Sequence, residues 1–159
     1  MKRYIKVFRY LEELDAFLPT DEFSQIVREL GLSEWTDVTF LCRYLALDND
    51  YGEHIFDNWD EREEREEKAA QLGIEAESLL IVVPERFQNG WDGPCHSPVL
   101  RKMFWTDLFK SLELSLDFLL AEARRATKRY KRHRSGELTE SELEERIAAI
   151  GSRYEISNS

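Results

Sequence analysis

Between Ser97 and Arg134 the chain reads SPVLRKMFWTDLFKSLELSLDFLLAEARRATKRYKRHR, and no other stretch restricts the fold so tightly. Ser97 can cap free backbone N–H groups and Pro98 fits the first helical position at no cost, so a helix is predicted to begin near Pro98. Val99, Leu100, Met103, Phe104, Leu108 and Leu112 then recur at three- and four-residue spacing, with Trp105 and Phe109 widening the stripe. That period predicts one helical face turned to a core. A second start at Ser115 is followed by Leu116, Leu119, Leu120, Ala123, Ala126 and Tyr130 at the same period. The short break at Glu113–Leu114 predicts two antiparallel helices or one kinked helix. Each large apolar side chain buried yields roughly 1.5–3 kcal/mol before chain entropy opposes it, so this set is the expected nucleus of the core. Phe104→Asp and Leu119→Asp are each expected to unfold the chain.

The remaining elements follow from the same reading. Tyr4, Phe8, Leu11, Leu14, Phe17 and Leu18 fit helical spacing up to Pro19, and a helix is expected there, although residues 4–8 also read as a strand. Thr20 or Asp21 caps a short helix carrying Phe23, Ile26, Val27 and Leu30, and Gly31 is placed to stop it. Ser33 opens the next, with Trp35, Val38, Leu41, Cys42 and Leu45. A polar connection follows from Leu47 to Asp57, then a charged helix, DNWDEREEREEKAAQL, closed by Gly73. Residues 79–83, Leu-Leu-Ile-Val-Val, form the one convincing strand-like run. A lone strand makes no sheet, so this run must pair with the N-terminal segment or another chain, or else be a buried helical turn. Residues 88–97 are a loop by composition. Thr139 and Glu142 make a capping box for a last helix, Leu143 to Ile150, before Gly151 and a polar tail.

These elements predict a mainly α, single-domain helical bundle of about six helices over residues 1–151, with 79–83 as one short strand or hairpin and 152–159 as tail. At 159 residues the chain is long enough to bury a core without metal or disulfides. Cys42 and Cys95 form no motif and read as two thiols. No stretch approaches the ~20 apolar residues of a membrane span, and charges interrupt the N-terminus as they would not in a secretory signal. A soluble cytoplasmic protein is expected.

Charge is unevenly placed. The formal net charge is −10, yet seven Lys/Arg and no acid lie between Arg124 and Arg134, so the rest of the chain carries −17. Such a body repels nucleic acid and attracts basic surfaces. The basic segment does the opposite. On a helix Arg124, Lys128 and Lys131 share one side, with Arg125, Arg129 and Arg132 beside them, a stripe that can hold phosphates or pair with acids of the 57–67 helix of this or another copy. It is also what a solvated helix end looks like, with cations complementing the helix dipole.

The other candidate chemistry is sparse. Val27 with Gly31 and Ala69 with Gly73 resemble the helix–turn–helix spacing, but the residues that follow are Glu34, Asp37, Glu75 and Glu77, which offer phosphates nothing. Asp48, Asp50 and Gly52 start like a calcium loop, yet Trp59 stands where the closing Glu belongs. Cys95 and His96 are adjacent and have no second pair at zinc spacing. No catalytic motif is present and no cofactor is called for, so an enzyme, centred on Glu85, Asp92 and His96 in the 85–96 loop, is the third-ranked reading. Trp91, between Gly90 and Asp92-Gly93-Pro94, is a core anchor or a binding hot spot, which makes Trp91, Asp92 and His96 the loop's candidate binding residues. The stretch SGELTESELEERIAAI resembles the short C-terminal module of some bacterial proteins that is linked to oligomerisation, over sixteen residues at most.

Function ranks accordingly. First is a small acidic protein that binds another, basic protein, as an adaptor, immunity or antitoxin-like regulator, with homo-oligomerisation left open. Second is nucleic-acid or phosphate binding through helix 124–132.

Overall fold

Residues 4–18, expected as helix, form strands and a turn at 12–15 in the computed structural model, which describes residues 3–45, 59–82, 98–130 and 138–157. In chain order the elements are β1 (Tyr4–Lys6), β2 (Phe8–Leu11), β3 (Ala16–Pro19), α1 (Asp21–Glu29), α2 (Val38–Tyr44), α3 (Trp59–Leu72), α4 (Pro98–Ser111), β4 (Glu113–Ser115), α5 (Leu116–Tyr130) and α6 (Glu140–Ser157). Two 3-10 turns, Ser33–Thr36 and Ala76–Ser78, complete the set. Six α-helices are thus present among the described residues, together with two small antiparallel sheets. Chain contacts group the residues into two compact units, one of 1–7, 21–33 and 113–159, the other of 8–20 and 34–112.

In the first unit β1 pairs antiparallel with β4, Tyr4 opposite Ser115, Ile5 opposite Leu114 and Lys6 opposite Glu113. The burial alternates, Ile5 inside and Tyr4 and Lys6 outside, which is the period of a strand. Apolar positions at 4, 8, 11 and 14 fit a helix as well, so the partner strand decides. That partner is the break at Glu113–Leu114, read from sequence as a helix–helix link; α4 and α5 on its two sides belong to different units. Ser115 still starts α5, its Oγ accepting the Phe118 N–H at 3.1 Å. Leu116, Leu119 and Ala123 of α5 and Leu143, Ile147 and Ile150 of α6 are buried at helical spacing, as are Phe23, Ile26 and Val27 of α1.

Both glycine stops behave alike. After α1, the Leu32 N–H reaches the Val27 carbonyl at 2.7 Å and the Gly31 N–H the Arg28 carbonyl at 3.1 Å, with Gly31 at φ +73°. After α3, Ile74 reaches Ala69 at 3.1 Å and Gly73 reaches Ala70 at 3.2 Å, with Gly73 at φ +67°. Left-handed backbone at the glycine lets two orphaned carbonyls be satisfied at once. The segments that resemble a helix–turn–helix are therefore two helix ends of one design. Gly151 does otherwise, since α6 continues through it to Ser157. The capping box at its start is as expected, with Thr139 Oγ1 accepting the Glu142 N–H at 3.1 Å and donating to Glu142 Oε1 at 3.1 Å.

The second unit is built on the β2–β3 hairpin, with Phe8 opposite Pro19, Arg9 opposite Leu18, Tyr10 opposite Phe17 and Leu11 opposite Ala16. Residues 79–83 are not a strand of their own. Leu80 alone bridges Phe17, through bonds of 2.8 and 3.0 Å, so the run does meet the N-terminal segment; Val83 lies outside the described residues. Asp37, and not Ser33, caps α2, its Oδ1 accepting the N–H groups of Thr39 and Phe40 at 2.9 and 3.1 Å.

Phe8, Phe17 and Phe109 pack edge to face with centroids 5.8–6.2 Å apart. This trio corrects the face assigned to α4. Phe109 is fully buried, whereas Met103 is 56% and Phe104 41% exposed. Apolar residues surround α4 so completely that spacing does not select a face; the hairpin's rings do. A second cluster, Ala16, Ala69, Leu79 and Ile81, seats α3 on the hairpin, with Leu14, Leu18 and Ile74 packed against it.

Candidate functional site

α3 shows how charge is arranged on the second unit. Its inward stripe is Arg65 and Ala69, both buried, four residues apart and so on one face. The outward side carries Glu63, Glu64, Glu66 and Glu67, all exposed, and the turn beyond adds exposed Glu75 and Glu77. Lys68 is partly buried, its Nζ 3.0 Å from Glu64. Burying Arg65 takes one of the helix's three cations away from solvent; with Lys68 paired to Glu64, Arg62 is the cation left exposed beside the four glutamates.

α3 ends at Leu72, 38% exposed, beside the turn of the β2–β3 hairpin. There Tyr10, Leu11, Glu12, Glu13, Leu14 and Leu72 line an open cleft of about 360 Å³. The volume is near the lower end for a ligand pocket, room for a side chain or two. The turn is held by Leu14 N–H to the Leu11 carbonyl at 3.2 Å and Asp15 N–H to the Glu12 carbonyl at 3.3 Å. Asp15 takes φ +50° and accepts the Tyr10 hydroxyl at 2.7 Å. That bond, then burial and the nearby negative charges of Asp15 and Glu12, push Tyr10 up to about 12. The Lys110 ammonium sits 4.4 Å from the Tyr10 ring centroid, a cation on the ring's electron-rich face.

The basic stripe lies in the first unit, and two of its six members have described side chains. Arg124 grips Glu144 of α6 with two parallel bonds, Nε to Oε1 at 2.8 Å and Nη2 to Oε2 at 3.0 Å. The guanidinium holds the Glu144 carboxyl below its ordinary range. Arg125 bonds Glu122, a carboxylate buried one turn earlier on the same helix. Lys128 and Arg129 stand on α5 with side chains outside the described residues; Lys131 and Arg132 lie wholly outside them. So do Trp91, Asp92 and His96, with Glu85 and the Asp48–Asp57 segment.

No family model matches this chain, and no curated protein or solved structure matches it either. Function must therefore be argued from its own residues.

Sequence reading passed over Glu12, Glu13, Leu14 and Leu72, since a continuous helix through 4–18 has no turn to display them. The signal was Asp15, a residue type that accepts left-handed backbone, standing in the largely acidic run Glu12-Glu13-Leu14-Asp15 between the more apolar stretches 8–11 and 16–19. Among the described residues, no group of three or more His, Cys, Asp or Glu converges as a metal site would. Nor is any helix there long and apolar enough to cross a membrane.

Proposed function

We propose that this chain acts in the cytoplasm by binding another protein with a basic surface, as an adaptor, immunity or antitoxin-like regulator. The outward face of α3 carries the reading: four exposed glutamates on the helix and two just beyond it, with Arg65 turned inward. Charge of one sign gathered on one face steers an oppositely charged partner and suppresses like-charged ones, and the −17 outside residues 124–134 adds to that field.

Nucleic-acid binding through the basic stripe of residues 124–132 has less behind it. Arg124 and Arg125 already hold carboxylates of the chain itself, and a phosphate would have to displace them. The test is a tagged pull-down from the native host followed by light scattering. A basic protein in a complex heavier than the 18.8 kDa chain, released as salt rises, is the expected result. Recovery of the chain alone as a monomer would contradict it.

A further inference from the structure

We propose that the cleft at the β2–β3 turn receives a short cationic peptide segment of the partner, one apolar side chain entering between Leu11, Leu14 and Leu72 while its Lys or Arg neighbours meet Glu12 and Glu13. The inference rests on the protein-binding reading and gives it a place. Three observations support the occupant. The cleft's floor is apolar and its charged rim is wholly acidic, Glu12 and Glu13 both being exposed, so it complements an apolar group flanked by cations. Its volume has room for one or two side chains. And Tyr10, one of the lining residues, already takes a cation on its ring, the Lys110 ammonium 4.4 Å from the centroid.

That lysine also separates this proposal from general attraction to an acidic surface. It carries a charge of the same sign as the peptide's and lies on the ring of Tyr10, one of the lining residues. Its removal should tighten peptide binding, whereas loss of the apolar floor or the acidic rim should weaken it.

The experiment measures fluorescence anisotropy of a fluorescein-labelled lysine–leucine peptide with the full chain, against oligolysine of equal length. The lysine–leucine peptide is expected to bind about tenfold more tightly than oligolysine, because one buried apolar anchor accounts for a factor of that size. Leu72→Ser and the double variant Glu12→Gln/Glu13→Gln should each weaken it about tenfold, and Lys110→Ala should strengthen it several-fold. All four positions are exposed, and thermal melting confirms that each variant folds. Equal affinity of the wild type and the Leu72 and Glu12/Glu13 variants overturns the cleft as the site. If that equal binding falls with salt for both peptides alike, the broader protein-binding reading stands without the cleft. Absence of binding by either peptide also overturns the cleft, and the native pull-down then judges the broader reading separately.

Discussion

Asp15 sits at φ +50° where the β2–β3 turn ends, and its carboxylate accepts the Tyr10 hydroxyl at 2.7 Å. Its backbone and side chain can be tested apart. Asp15→Gly relieves the left-handed backbone while losing the bond, and Asp15→Ala loses the bond and keeps the strain. Alanine is expected to cost about 1–2 kcal/mol in urea unfolding, with glycine recovering about half of it. Tyr10 reports the same contact through pH. The fold favours its neutral form, so that stabilisation is whole below the ordinary tyrosine value of 10.0 and is lost as pH rises through about 12. Ultraviolet titration should find Tyr10 ionising late, and Asp15→Ala should bring it back towards the ordinary range. Tyr154 is also pushed up to about 12, chiefly by burial and then by its bond to Glu22, so Tyr10→Phe is needed to assign the signal.

At the scale of elements, the helices whose ends carry specific side chains were the legible ones. Ser115, Thr139, Gly31 and Gly73 act as their residue types predict, because a cap or a left-handed stop depends on a few neighbouring atoms. Ser115→Ala should accordingly cost about 1 kcal/mol in thermal or urea unfolding. Strands were less legible, since β1 needs β4 and β2 needs β3, and the pairing of Ile5 with Leu114, 109 positions further along the chain, leaves no local mark. The cleft was lost along with the hairpin that forms it. The face of α4 was misjudged because nearly every side of that helix is apolar. The structure reverses one expectation there: Phe104→Asp should fold and melt within about 1 kcal/mol of the parent, while Phe109→Ala should cost about 3–5 kcal/mol by opening the Phe8–Phe17–Phe109 trio. Leu119→Asp remains an unfolding change, the side chain being fully buried.

Across the whole molecule, uneven charge was plain in the sequence, but how it is presented was not. Composition does not reveal that Arg65 is buried, which leaves the exposed α3 glutamates opposed by Arg62 and the partly buried Lys68. It does not reveal either that Arg124 and Arg125 are engaged by Glu144 and Glu122. Among the described side chains, Arg124 and Arg125 are thus already gripped by carboxylates, whereas Glu63, Glu66 and Glu67 stand exposed on α3. The most direct test is retention of the captured partner as salt is raised, comparing the parent chain with a Glu63→Gln/Glu66→Gln/Glu67→Gln variant. The parent should release its partner only at higher salt than the variant, which should capture less from the start. Equal capture by the two chains, insensitive to salt, would contradict the account.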